Sequence, residues 1–212
     1  MDRKEFVVAG ALAAAASSVQ WLRDGGVLRA AFDRDAVAVI TAAPDVFGAI
    51  VRAVLPSDDP RFSAVTPETI ERRADNIFSI AQDTGVQSNL VLFDDLLLFA
   101  APPPALIAAE NDQFPVSALD KDAIAPLSVR VTRDAGAYQA LAVRWPAGSA
   151  HFTQLGLAEQ RAYMMLWARS ALAVRRRFYR SMKTLVMVAT YSLDASWPAI
   201  RYAGPLLHPR PQ

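Results

Sequence analysis

Two adjacent carboxylate pairs and two histidines are the side chains of this 212-residue sequence that could serve acid–base or metal chemistry. Asp58-Asp59 lies between two prolines, and Asp94-Asp95 interrupts an apolar run. General acid–base catalysis needs carboxylates that converge on one cleft, whereas neighbouring residues on a helix do not face each other. We therefore interpret the first pair as part of a turn and the second as the solvated edge of an apolar helix.

The remaining chemistry-bearing types are scarce. The sequence has no cysteine, which excludes disulfides, thiolate metal sites and a cysteine nucleophile. Neither His151 nor His208 has a neighbour at a metal-ligand spacing, and no glycine-rich phosphate loop occurs. We predict no catalytic residue, no metal site and no cofactor bound by this chain, and hence a protein that is not itself an enzyme.

Arginine is the concentrated functional group. The net charge is +1, but residues 1–150 sum to −6 and residues 151–212 to +7. This basic third also holds aromatic residues, and arginine together with aromatic side chains anchors protein interfaces. The alternative is that the arginines form a solvated helix face and that the aromatic residues pack in the core. The predicted partner-binding residues are Trp167, Arg169, Arg176, Arg177, Arg180, Tyr191, Trp197, Tyr202, Gly204 and Pro205. The balanced total charge argues against a nucleic-acid partner.

The first 18 residues are typical of an export signal. A charged start precedes the apolar run Val7–Ala16, which is too short to span a bilayer of about 30 Å. Arg3-Lys4-Glu5-Phe6 resembles the twin-arginine signature, whose cargo crosses the membrane folded. Lys4 replaces the second arginine, so export to the periplasm and retention in the cytoplasm both stay open, as does an N-terminal helix that is never removed.

The rest of the chain, residues 19–212, is predicted to be one mainly helical, bundle-like domain. Apolar residues spaced by three and four predict helices over 44–55, 66–82, 90–99 and 157–191, the last of which is either continuous or bent at Ser170. Thr66-Pro67 supplies an N-cap and a proline at the first helical position. An aromatic tail from Trp197 to Pro205 follows the last helix and is expected to be irregular.

Residues 111–150 have a different pattern. Leu127 to Thr132 alternates between apolar and polar residues, Asp134-Ala135-Gly136 could form a turn, and Tyr138 to Trp145 could return as a second strand. The sequence therefore predicts one β-hairpin inserted in the helical domain.

Short motifs in the basic third resemble the gluconate 2-dehydrogenase subunit 3 family. The strongest of them is the tail from Trp197 to Pro205, and Val54 to Pro60 is similar to the end of the first helix of that family. The other matching motifs are Phe152-Thr153-x-Leu155-x-Leu157, Trp167-Ala168-Arg169-Ser170, Arg176-Arg177-Phe178 and Met182-Lys183.

The resemblance implies a non-catalytic small subunit that accompanies a flavoprotein dehydrogenase of the glucose–methanol–choline type. FAD would belong to that large subunit, which oxidises sugars or other alcohols, and a cytochrome subunit could complete the complex. The small subunit would assist folding, stability and co-export. The alternative from another class is a free-standing envelope protein whose basic helix binds anionic lipid or a small ligand.

Overall fold

The structure is a computed structural model that describes residues 45–55, 60–80, 83–102, 106–107, 110 and 125–198, together with Gln20. These ranges contain seven α-helices and no β-strand, so the mainly helical prediction is confirmed for them. The export signal predicted over 1–18 lies outside the described residues. The helices are α1 (Val46–Val54), α2 (Pro67–Phe78), α3 (Thr84–Asp94), α4 (Leu97–Ala100), α5 (Leu127–Ala142), α6 (Leu157–Arg169) and α7 (Ala173–Tyr191).

Helix α1, which the spacing of its apolar residues predicts, lies at the centre of the packing. The Asp45 side chain caps its first turn by accepting a hydrogen bond from the Gly48 amide at 2.8 Å. The helix packs against α2, α3, α6 and α7, and residues on all sides of it are buried. Arg52 is its one exposed residue, and a helix with so little polar surface is stable only against neighbouring elements.

Helix α2 begins where the sequence predicts and ends earlier. The Thr66 hydroxyl accepts a hydrogen bond from the Thr69 amide at 3.3 Å, and Pro67 occupies the first helical position. The helix stops at Ser79, which adopts a left-handed φ of 51°. The predicted helix 66–82 therefore ends at Phe78.

The apolar run predicted as one helix over 90–99 is divided in two. Helix α3 starts at Thr84 and ends at Asp94, and Asp95 takes an extended conformation before α4. The Asp95 carboxylate accepts a hydrogen bond from the Leu97 amide at 2.9 Å, and the Leu96 amide donates to Ala150 O at 3.1 Å. Aspartate side chains compete with helical hydrogen bonds in this way, so Asp95 ends the helix within the run.

The predicted β-hairpin is wrong: residues 127–142 form the single helix α5. The buried residues are Arg130, Asp134 and Tyr138, four positions apart on one helix face. Val129, which the hairpin would bury, is 53% exposed. Two of the three inward residues are charged, so the spacing of apolar residues does not indicate this buried helix face. Gly136 lies within the helix, where the sequence predicts a turn.

Helices α6 and α7 resolve the alternatives for residues 157–191. The helix ends at Arg169, and Ser170 to Leu172 connect it to α7, so the chain changes direction at the serine. Helix α7 then packs against α1, α2 and α6. The aromatic tail is described only to Pro198, so its remaining residues lie outside the described part of the chain.

Aromatic rings fill the core between α3, α6 and α7. The ring of Phe93 has its centroid 4.8 Å from that of Phe152, 5.3 Å from Tyr163, 5.0 Å from Trp167 and 5.2 Å from Phe178. Such ring pairs add about 0.5–1.5 kcal/mol each beyond the burial of their area. This cluster fixes the position of α7 and therefore decides which of its residues face outward.

Candidate partner-binding surface

Helix α7 presents one buried face and one exposed face. Phe178, Met182, Leu185, Val186 and Ala189 are buried against the neighbouring helices. At 100° per residue the opposite side carries Arg176, Arg177, Arg180, Lys183, Thr184, Met187 and Tyr191, which are exposed or half-buried. We call these seven residues the outward face of α7. It extends about 22 Å along the helix at 1.5 Å per residue.

Two cations of the outward face have no charged partner in the described part of the fold. Arg180 and Lys183 are exposed, one turn apart, and form no ion pair with any residue that the structure describes. The sequence holds no aspartate or glutamate from residue 160 to residue 193. Arg169, at the exposed end of α6, is likewise unpaired in the described ranges. A positive helix C-terminal turn offsets the helix dipole there.

Arg176 and Arg177, which precede Arg180 on the outward face, interact more closely with the rest of the protein. Arg176 is half-buried, and its Nη1 donates to Ser170 O at 2.7 Å, which closes the connection between α6 and α7. Partial burial of Arg177 lowers the pKa of its guanidinium. Arg176 therefore has a structural role within the predicted partner-binding set.

Trp167, also predicted at the interface, belongs to the core. Its side chain is 6% exposed and lies among the rings of Phe93, Phe99 and Phe178. It can support a surface only by holding α6 against α7. This placement matches the alternative interpretation of the aromatic residues as core packing.

Residues that follow α7 contact the end of the outward face at Tyr191. Tyr191 is 40% exposed, and the indole nitrogen of Trp197 donates to Tyr191 O at 3.0 Å. Arg73 of α2 donates from Nε to the Ser192 hydroxyl at 2.8 Å. These bonds hold the end of α7 in place. Tyr202, Gly204 and Pro205 lie outside the described residues.

A buried arginine that was not among the predicted site residues joins three helices. Arg175 is 1% exposed, and its Nη1 contacts Asp134 Oδ2 of α5 at 2.7 Å. Its Nη2 donates to the carbonyls of Leu98 and Phe99, and its guanidinium carbon lies 4.0 Å from the centroid of the Phe99 ring. Burial lowers the pKa of Arg175, and the Asp134 carboxylate opposes that shift.

Asp134 also holds the connection between α6 and α7. Its carboxylate accepts hydrogen bonds from the Ser170 hydroxyl and from the Ala171 amide, the latter at 2.8 Å. The Ser170 hydroxyl oxygen in turn accepts from the Leu172 amide at 3.0 Å. Asp134 therefore positions both ends of the turn that sets the direction of α7.

Glu110 binds the N-terminus of α7. Its carboxylate accepts hydrogen bonds from the amides of Ala173 and Val174, both at 2.9 Å, and pairs with Arg130 of α5. Both side chains of this ion pair are buried. A carboxylate at a helix N-terminus satisfies free amide groups and complements the helix dipole.

The two buried carboxylates of Glu110 and Asp134 offset the positive charge at the N-terminal end of α7. Three consecutive arginines, residues 175–177, stand in the first turn of α7, where the helix dipole is itself positive. Glu110 and Asp134 supply the negative charge that α7 lacks. Two features of the sequence together indicate this network of buried ion pairs. Arg130, Asp134 and Tyr138 have the four-residue spacing of one helix face, and residues 160–193 contain no acidic residue that could neutralise the arginines of α7.

Asp94 is buried and fully engaged, which corrects the expectation of a solvated carboxylate. It is 4% exposed and accepts hydrogen bonds from the amide and hydroxyl of Thr153, each at 3.0 Å. His151 Nδ1 lies 3.0 Å from Asp94 Oδ2. Asp95 pairs by its backbone with His151. The carboxylate therefore fixes the loop before α6, which contains His151.

The described part of the chain offers little for other chemistry. Within it, no three histidine, aspartate or glutamate side chains come together as a metal site. Among the same residues, no helix combines the length and the apolar character needed to cross a bilayer. Comparisons with known protein families, with curated proteins and with solved structures find no match to this chain.

Proposed function

We propose that this chain is a non-catalytic small subunit of a flavin-dependent dehydrogenase complex that acts on sugars or other alcohols. Its partner is a flavoprotein of the glucose–methanol–choline type, which carries the FAD, and a cytochrome subunit can belong to the same complex. The motifs from Phe152 to Pro205 that resemble the gluconate 2-dehydrogenase subunit 3 family supply the identity of the partner. The complex is exported to the periplasm, and this subunit assists the folding, stability and co-export of the large one.

The observation that carries a partner-binding role is the pair of exposed cations Arg180 and Lys183. Buried ion pairs join Arg130 to Glu110 and Arg175 to Asp134, whereas Arg180 and Lys183 form no ion pair with any described residue. An exposed charged side chain that has no ion-pair partner among the described residues is available for a partner protein. Tyr191 adds an exposed aromatic ring at the other end of the same face.

The proposal is tested by affinity capture of the tagged full-length chain from the organism that encodes it. We expect a flavoprotein dehydrogenase to stay bound through a moderate salt wash and to bring a flavin absorption spectrum with it. The chain purified alone should be colourless and should not oxidise alcohols. A flavin held by the isolated chain, or turnover without a partner, would show that the proposal is wrong.

A further inference from the structure

We propose that the partner covers the outward face of α7 with carboxylate side chains placed against Arg180 and Lys183. This inference rests on the proposed function, which supplies a protein partner, and it names the chemistry by which that partner is recognised. The basis is charge complementarity: the face is cationic, and Arg180 and Lys183 pair with no acidic residue that the structure describes. A partner that meets it must bring the negative charge.

The geometry of α7 favours a protein carboxylate over a lipid phosphate. A helix that binds a membrane surface inserts its apolar side into the lipid. The apolar side of α7 is already buried against α1, α2 and α6, where Phe178, Met182 and Leu185 are at most 3% exposed. The outward face keeps only Met187 and Tyr191 as apolar contacts. Residues 1–150, which sum to −6, would also be repelled by an anionic membrane.

The two halves of the outward face have different roles in this arrangement. Exposed charges at an interface mainly raise the association rate and make it depend on salt. Aromatic anchors that become fully desolvated mainly slow dissociation. Arg180 and Lys183 therefore orient the partner. Tyr191 lies about 12 Å beyond Lys183 along the helix at 1.5 Å per residue, where an apolar partner residue would meet it.

Lys183 makes the proposal testable by direct chemistry. It is the only lysine in the described ranges, and the sequence holds just two others, Lys4 and Lys121. A water-soluble carbodiimide joins a lysine amine to a carboxylate in contact with it, and it does not join arginine. Treatment of the captured complex, followed by peptide mass spectrometry, identifies the residue that faces Lys183.

We expect an amide between Lys183 and an aspartate or glutamate of the captured flavoprotein. Lys183→Arg keeps the charge and should keep the complex while losing this crosslink. The double variant R180E and K183E should weaken capture by about tenfold or more. Arg144→Glu is the matched control, since Arg144 is an exposed arginine that precedes α6, and it should leave capture unchanged.

Each failure identifies what is wrong. A captured flavoprotein without a crosslink at Lys183, or one whose capture survives R180E and K183E, overturns this inference and leaves the proposed function standing. A Lys183 crosslink to a carboxylate of a protein without flavin supports the inference and contradicts the function. Co-sedimentation with vesicles of phosphatidylcholine and phosphatidylglycerol that is lost in R180E and K183E would identify lipid as the occupant and overturn the inference.

Discussion

Arg175 and Arg180 lie on the same helix, five residues apart, and have opposite surroundings. Arg175 is enclosed by Asp134, by two backbone carbonyls and by the Phe99 ring, whereas Arg180 is exposed and unpaired among the described residues. Burying a charge is costly unless it is paired and hydrogen-bonded. The contrast separates the arginines that hold the fold from those that are available to a partner.

The largest effect is expected from breaking the buried pair on one side. Asp134→Leu leaves Arg175 buried without its carboxylate, and removal of one member of a buried pair costs about 3–5 kcal/mol. Urea unfolding of the purified variant measures this loss. The double variant with Arg175→Leu should lose less stability than the single variant, because no charge is then left uncompensated. A single-variant loss below about 1 kcal/mol would contradict the structural role.

Glu110→Gln tests the second carboxylate with little change of shape. The amide oxygen can still accept a hydrogen bond from the first turn of α7, but the second acceptor becomes an NH2 donor, and the charge that faces Arg130 and the helix dipole is gone. We expect a loss of about 1–3 kcal/mol in the free energy of unfolding. Glu159→Gln, in the first turn of α6, is the control and should change stability far less. Equal losses of stability in the two variants would contradict the role of the Glu110 charge in stabilising α7.

A smaller effect of opposite sign is expected at Glu71. Burial and the neighbouring Asp45 carboxylate raise the pKa of Glu71, and Arg52, whose Nη1 lies 3.8 Å away, offsets this only in part. Because the folded chain disfavours the ionised form, the contribution of Glu71 to stability is lost as the pH rises above the ordinary value of 4.5.

Glu71→Gln should therefore raise the free energy of unfolding at neutral pH, by at most about 1 kcal/mol. At a pH below 4.5 the difference from the original chain should vanish. Thermal or urea unfolding of both chains across this range measures the difference directly. An advantage of the variant that grows towards low pH would reverse the predicted sign.

The smallest effect on stability is expected where the effect on binding is largest. R180Q together with K183Q should change the free energy of unfolding by no more than about 0.5 kcal/mol, since neither side chain has a partner within the described fold. The same variant should capture less flavoprotein. A loss of stability comparable to that of Asp134→Leu would show that Arg180 and Lys183 stabilise the fold.

Local sequence rules predicted the elements whose signals are local. The apolar spacing of α1 and the Thr66-Pro67 start of α2 depend on neighbours within a few residues, and the structure has both. For residues 157–191 the sequence allowed a continuous helix or a bend at Ser170, and the structure shows the break. The prediction of a hairpin over residues 127–145 is wrong for the complementary reason. Arg130 and Asp134 can face inward because each forms a buried ion pair, Arg130 with Glu110 and Asp134 with Arg175. Both partners are distant in sequence.

The candidate surface divides in the same way. The sequence located the basic, aromatic third of the chain, and Arg180, Lys183 and Tyr191 do lie on one exposed helix face. It could not distinguish them from Trp167 or Arg175, which are the same residue types in the same segment. Only the tertiary structure places these two inside: Trp167 packs against Phe93, and Arg175 lies against Asp134 and Phe99.

By itself, the sequence determined that the chain is mainly helical, that it has no cysteine chemistry, and that residues 160–193 carry positive charge without any acid. Those properties follow from composition and from contacts between near neighbours. The tertiary structure alone decided which cations are neutralised, because carboxylates and arginines that meet in the core come from positions 20 to 41 residues apart. Pairing over such distances depends on how helices pack, and no local pattern records it.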